Sequence, residues 1–466
     1  MKKLIFLACF SIVILLFGCT GDMTISSTSI TPSVSAEPHE PIAPAPLPTE
    51  NGTATSVAPS PTNTPVFPPE TQLHSQCLEV EATPLNQIMS NGIVILDSRE
   101  STVDNRYKPD LFLLDMATSR TTQIAMQDER QTSHIVSPDK KLMAYESVTY
   151  NSTNNIMKKD ELVIANALGE RLITIPWEKG WVGMPTWLDN ERLVINASGL
   201  NPEENAGDKP ATLLILNPFS RKLQILKPDF PKVLDIHATL SAILPFWEGW
   251  SGAIYDPTLT RAIYPMYLDD NEDWFTYAIW DPSQRRLIAT LEDIYAVASS
   301  NTAYPMPKWS PDGSQFVFQG VVPARDPMKY ELYAVSRDGE TKQLTNLSSV
   351  AYVWESTYSW SPDGRYIAMF LSPPIGGVRS DNAHVAVLDT TTLAVTDYCV
   401  NITLSGEGYG SGSPLWSPIW SPDGHQFVIT DWYEKDHRHV VLVDIEKKIA
   451  VKVAEDVEPV GWMISP

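Results

Sequence analysis

The chain has 466 residues and carries 56 Asp and Glu against 34 Lys and Arg, a formal net charge of -22. That excess excludes ordinary phosphate-backbone binding, which needs clustered Lys and Arg, so no nucleic-acid partner is expected. A hydrophobic content of 43% allows a large core, and four cysteines are too few for a disulfide-dense scaffold or a multi-cysteine zinc protein.

Residues 1–18 read as an address. Lys2 and Lys3 give a positive start, and Leu4 to Gly18 is apolar apart from Ser11. The stretch is shorter than the ~20 residues a spanning helix needs and has the length of a signal-peptide core. It ends Leu16-Phe17-Gly18-Cys19-Thr20, which resembles the bacterial lipobox, with a small residue before the cut and a cysteine after it. Phe17 is bulkier than the usual residue there. The resemblance implies cleavage before Cys19 and a lipid on its sulfur, hence a membrane partner through that lipid. Two or three acyl chains are needed for firm attachment, because each buried CH₂ contributes only about 0.8 kcal/mol.

Residues 19–84 change character. From Thr20 to Pro84 there are 12 Pro, no Lys or Arg, and one aromatic, Phe67. Such a segment cannot bury enough apolar surface to offset chain entropy, so it is expected to be a disordered Pro/Ser/Thr-rich tether. As a coil it would span roughly 45 Å.

From residue 85 onward one pattern repeats. Three copies are plain: Trp309-Ser310-Pro311-Asp312-Gly313, Trp360-Ser361-Pro362-Asp363-Gly364 and Trp420-Ser421-Pro422-Asp423-Gly424. Looser copies start at Val136, Trp187 and Ile254, so successive starts lie 51 to 67 residues apart. A short alternating strand follows each motif, then a second and a third. Strands at this spacing, with turn residues between, predict four-stranded propeller blades. Ser-Pro-Asp-Gly is type I turn chemistry: proline presets φ, Asp suits the third position and Gly accepts positive φ at the fourth. The preceding Trp is expected to end an inner strand and pack between blades.

The motifs resemble the TolB-like, WD-type propeller repeats of bacterial envelope proteins, over about residues 85–466. The resemblance implies an all-β propeller in an extracytoplasmic setting. It implies no role in the Tol system, because TolB carries an α/β domain where this chain has its tether. The opening strand Gly92-Ile93-Val94-Ile95-Leu96 has no Trp motif before it. The closing Gly461-Trp462-Met463-Ile464-Ser465-Pro466 is an inner strand and half a turn motif. Together they make one blade, closing the ring with strands from both ends and removing an exposed sheet edge. The expected count is seven blades, with six, the number in TolB, as the alternative.

Chemistry is sparse. Gly249-Trp250-Ser251-Gly252-Ala253 fails the nucleophile-elbow pattern at its last residue, and no helical periodicity offers a hydrolase body. Asp269, Asn271 and Asp273 begin like a calcium loop, but Trp274 stands where the loop needs glycine, so a solvated acidic hairpin is expected. His437 and His439 make at most half a zinc site. No catalytic residue, metal or cofactor is expected. Cys77 and Cys399 remain once Cys9 is cleaved away and Cys19 lipidated; they are either a disulfide stapling the tether's end to the ring or two free thiols too far apart to bond.

The aromatic surplus stands out. Trp181, Trp247, Trp354 and Trp416, with Tyr304 and Tyr409, lie just upstream of inner strands, where the connections of a propeller crowd one mouth of its channel. There they either bind a ligand or brace the blades. Glu178, Glu248, Glu355 and Glu407 lie nearby. The sequence thus leads to a lipid-anchored, monomeric, extracytoplasmic β-propeller of the bacterial envelope that binds an unidentified envelope protein, peptide or glycan. The alternative is an envelope glycan lyase or hydrolase, which would need paired carboxylates at the mouth.

Overall fold

The computed structural model describes residues 70–466 apart from 82–87, 89, 102–106, 125–128, 151–156, 179–180, 198–211, 227–253, 268–273, 285, 292–293, 295, 298–306, 322–329, 348–351, 354–357, 373–381, 404–416 and 435–436. The lipobox, Cys19 and most of the expected tether lie outside these residues.

Seven sheets of antiparallel strands follow one another along the chain, each at least four-stranded. First strands of neighbouring blades lie side by side, as Glu458–Met463 beside Glu129–Val136 and Glu129–Val136 beside Trp181–Trp187, so strands a to d run from the axis to the rim. Blade 1 takes strand a, Glu458–Met463, from the end of the chain and strands b to d, Ile93–Ser101, Tyr107–Asp115 and Arg120–Gln123, from its first part. Ser465 Oγ accepts a hydrogen bond from the Gly92 amide at 3.2 Å. In complete motifs the serine takes the same bond from the residue five positions on, as from Tyr366 to Ser361 at 2.8 Å and from Gln426 to Ser421 at 3.0 Å. The two halves of a turn motif, 373 residues apart, thus rebuild it across the closure.

The motif serine also donates to its aspartate, at 2.6 Å from Ser310 to Asp312 and from Ser421 to Asp423. Gly313, Gly364 and Gly424 sit at φ of 64°, 73° and 75°, the left-handed region that a side chain disfavours. In blade 2 the equivalent residue is Lys140 at φ 61°.

Both faces of a blade are covered by neighbours, so middle strands are apolar without alternation. Val440, Val441, Leu442 and Val443 are all at most 1% exposed. The core is therefore a ring of clusters, most of them bridging two blades. One joins Ile95, Leu111 and Val460 of blade 1 to Met143, Tyr145 and Val163 of blade 2; another joins Val317 and Leu332 of blade 5 to Ile367, Met369 and Leu388 of blade 6.

The motif tryptophans add a directional latch. Each indole N–H donates to the carbonyl just before the motif position of the preceding blade: Trp187 to Ile135 (3.3 Å), Trp309 to Ile254 (3.4 Å), Trp360 to Lys308 (3.1 Å) and Trp420 to Ser359 (3.1 Å). In blade 4 the motif position is Tyr255, one residue later than the expected start at Ile254.

The expected boundary at residue 84 moves, because Glu70 to Glu81 belongs to the body. Thr71 exchanges hydrogen bonds with Asn346 of blade 5 (3.1 and 2.7 Å). Leu73–Ser75 pairs in parallel with Val395–Thr403, strand d of blade 6, and Val80–Glu81 with Ile449–Glu455, strand d of blade 7. Between these two contacts Cys77 is disulfide-bonded to Cys399, with Cα atoms 4.6 Å apart. The strand carrying Cys399 is therefore not the rim of its blade: the strap lies outside it. Free edge strands have unpaired amides and carbonyls, and the strap satisfies part of two such edges. Its few apolar residues, of which Leu73 and Leu78 pack against the core clusters, hid this from a compositional reading.

Candidate functional site

Antiparallel strand order sorts the connections. The a–b turns and the c–d turns leave from one face and are all tight, as at 310–314, 361–365, 421–425, 337–340 and 445–448. The b–c and d–a connections leave from the other. That face has the long segments: 198–211, 227–253, 298–307, 373–381 and 404–418. The sequence places Trp247, Tyr304 and Trp416 in d–a segments of this face, whereas Trp354 falls between Tyr352–Val353 and Ser359–Trp360, both of which pair with strand b of blade 6; these four lie outside the described residues, as do Tyr409, Glu248, Glu355 and Glu407.

Trp181 is described, and it corrects the expectation. It is the first residue of strand a in blade 3, Trp181–Trp187, and not a connection residue. It is 8% exposed and packs in the cluster between blades 2 and 3. Trp177 meets it edge-on at 5.4 Å and donates its indole N–H to the Trp181 carbonyl at 3.4 Å. With its ring so enclosed it braces the junction. Glu178, beside it, is exposed.

Two features that the sequence reading missed lie near the centre and near this face. The first is an acid pair. Strands b and c of blade 2, Leu142–Tyr150 and Met157–Asn166, place Glu146 opposite Leu162 and Val148 opposite Asp160. Glu146 and Asp160 therefore share one face as diagonal neighbours, and their carboxyls hydrogen-bond. Burial and then the Glu146 charge push Asp160 up to about 6. The Asp160 carbonyl also accepts the Trp177 amide at 3.0 Å, which ties the pair to the entrance of blade 3.

The second is Lys308, the residue before Trp309. Its ammonium donates to the Tyr358 carbonyl of blade 6 at 2.6 Å and to Ser417 Oγ, at the entrance of blade 7, at 2.8 Å. It also lies 5.2 Å from the centre of the Tyr358 ring. A side chain of blade 5 can reach a residue of blade 7 only close to the axis, so the ammonium lies by the central channel. Burial pushes it down to about 8. The repeat held the signal: the equivalent positions carry Ile135, Thr186, Ile254, Ser359 and Ile419, and Lys308 alone is charged.

The remaining candidates do not assemble. His437 Nδ1 lies 3.0 Å from Asp456, and His439 Nε2 lies 3.2 Å from Lys452 Nζ. Burial and then the Lys452 charge hold His439 below its ordinary range. Among the described residues no group of three or more His, Cys, Asp or Glu is placed to hold a metal. The acidic run 269–273 and Gly249 to Ala253 lie outside those residues, apart from none of their number.

No family model matches the chain, and no curated protein does. Solved structures do. TolB from Acinetobacter baumannii is 15% identical over 80% of this chain and 66% of its own, with a TM-score of 0.38. An oligogalacturonate lyase from Vibrio parahaemolyticus is 11% identical over 83% of this chain and 90% of its own, at 0.45. A puromycin-hydrolyzing peptidase from Mycobacterium tuberculosis is 11% identical over 83% of this chain and 57% of its own, at 0.46. These distant likenesses include TolB and enzymes alike and select no activity. The seven-bladed architecture rests on the strand pairing itself.

Proposed function

We propose that the protein is a lipid-anchored, extracytoplasmic β-propeller that binds an envelope protein, peptide or glycan through the face with the long connections. One observation carries this reading: every long connection leaves from the same face of the ring, and four surplus aromatics of the sequence, Trp247, Tyr304, Tyr409 and Trp416, fall in those connections. Loops held by a rigid scaffold suit recognition, and aromatic side chains supply large contact area. Lipidation at Cys19 would place this ring, as a monomer, at a bacterial membrane surface.

The enzyme alternative draws on the Glu146–Asp160 pair. Glycosidic chemistry uses two carboxyls about 5 to 9.5 Å apart with sugar or water between them. Here the two carboxyls hydrogen-bond to each other, closer than that spacing, and binding is the better reading.

The test is capture by the full-length protein in detergent, beside a Trp247→Ala/Trp416→Ala variant, from solubilised envelope and from glycan fragments. A species held by the first and lost by the second supports the reading. Equal capture by both moves the site off the long-connection face. Fatty-acid labelling lost in Cys19→Ala tests the anchor.

A further inference from the structure

We propose that Lys308 is a carboxylate-binding point of the central channel, receiving the free C-terminal carboxylate of a peptide segment that enters the ring. The proposal rests on the reading of the propeller as a binding module and gives that module a ligand chemistry.

An ammonium has three donors. Two are used, on the Tyr358 carbonyl and Ser417 Oγ, both neutral. The third has no partner among the described residues, and no carboxylate among them forms an ion pair with Lys308. A partly desolvated charge without a counter-charge is costly, and a pairing anion relieves that cost. The downward push on the ammonium reflects the same deficit. Lys308 as a residue is half-buried, keeping some exposed surface beside these contacts.

Neighbouring side chains are held out of the way. Ser359 Oγ donates to the Pro418 carbonyl at 2.5 Å, and the Tyr358 ring is fully buried. Blades 5, 6 and 7 are thereby fixed around the nitrogen, so little order remains to be lost on binding. The chain's charge narrows the choice of ligand. At -22 it repels a polyanion such as a polyuronate, whereas a single carboxylate on a neutral or basic segment meets no such barrier.

The probe is acetyl-Gly-Gly with a free carboxylate, compared with its C-terminal amide, titrated into the full-length protein by calorimetry. The free acid is expected to bind at least tenfold more tightly than the amide. Lys308→Met should abolish that preference, and Lys342→Met, on the outer strand Thr341–Gln343 of the same blade, should retain it. A second readout needs no variant: the Lys308 ε-methylene carbon signal should report a rise in the ammonium's pKa when the acid is added and none with the amide. Equal binding of acid and amide, no binding of either at millimolar concentration, or a preference that survives Lys308→Met would overturn the proposal, and an unmoved Lys308 signal would do so even if the variant fails to fold. Envelope capture that depends on Trp247 and Trp416 but is unchanged by Lys308→Met would leave the binding reading intact while ending this one.

Discussion

The junctions on either side of blade 6 and the junction between blades 3 and 4 are made from the same repeat and are held by different means. At blade 6, Trp360 and Trp420 each pass an indole hydrogen bond to the blade before, at 3.1 Å. Apolar clusters cross both junctions, and the strap with its disulfide runs along the rim outside. At the start of blade 4 the tryptophan position holds Tyr255. Its hydroxyl meets that of Tyr264 at 3.4 Å, inside its own blade. The cluster formed there by described residues, Ala262, Tyr264, Trp280 and Tyr255, comes from blade 4 alone. The next junction keeps its latch, from Trp309 to Ile254, and adds an ion pair: Asp256 of blade 4 takes Arg337 of blade 5 at 2.9 Å. Burial alone would raise this carboxyl, but hydrogen bonds from Thr258, the Arg261 amide and Arg337 outweigh it and hold it below the usual range. Tyrosine can match tryptophan in apolar area, yet its donor sits at the ring's far end and is easily spent at home.

That contrast can be broken experimentally. Trp360→Ala should cost about 3–5 kcal/mol in urea unfolding, from lost burial and the cavity left behind. Trp420→Phe, which mainly removes the latch, should cost about 1 kcal/mol, and Tyr255→Phe well under that, since its bond joins no second blade. Equal costs for the two phenylalanine variants would remove the distinction between the junctions.

Cutting the strap's staple tests the other half. Cys77→Ser/Cys399→Ser opens a closure between residues 322 apart and should cost about 2–5 kcal/mol. Hydrogen exchange should quicken in Val395–Thr403 and Ile449–Glu455 and stay unchanged in Ala262–Tyr267. Uniform quickening would mean that the strap supports the whole ring.

The acid pair gives a smaller, pH-dependent effect. Asp160 titrates near 6 in the folded protein against 3.8 as an ordinary carboxyl. The folded state therefore holds the proton longer, and stability should fall as pH rises from about 4 to about 6 and then level off. Asp160→Asn should flatten that slope and raise stability at pH 8 by about 1 kcal/mol, a figure reduced for the site's partial solvent access. A slope unaltered in the variant would assign it to other groups. Smallest of all, Lys140→Gly should stabilise by about 0.5 kcal/mol or slightly more by relieving the left-handed backbone, while Gly364→Ala should cost about 1 kcal/mol. Thermal unfolding of the pair checks both signs.

Much of this fold was legible because its turns are chemically explicit. Trp-Ser-Pro-Asp-Gly states a strand end, a turn and a strand start within five residues, and Ser465-Pro466 shows an incomplete one that Gly92 completes. The strap was not legible, because Leu73 to Glu81 has turn-and-tether composition and owes its strands to edges supplied from 300 residues away. Trp181 was misplaced for a related reason: adjacency to an inner strand does not say whether a residue stands before it or begins it. The Glu146–Asp160 pair depends on the register between two strands, and Lys308 becomes conspicuous only when the repeats are aligned position by position.

The strap also sets where the molecule would bear mechanical load. A pull on the chain upstream of Glu70 arrives first at the rim of blades 5 and 6, where a short parallel strand would have to shear, and then at a covalent joint between Cys77 and Cys399. Tension stops there. It does not travel on to Ile93, where it would peel blade 1 from the closing strand Glu458–Met463 and unzip the ring at the seam between its first and last strands. The disulfide thus acts as a strain relief, like the clamp that keeps a tug on a cable from reaching its solder joint.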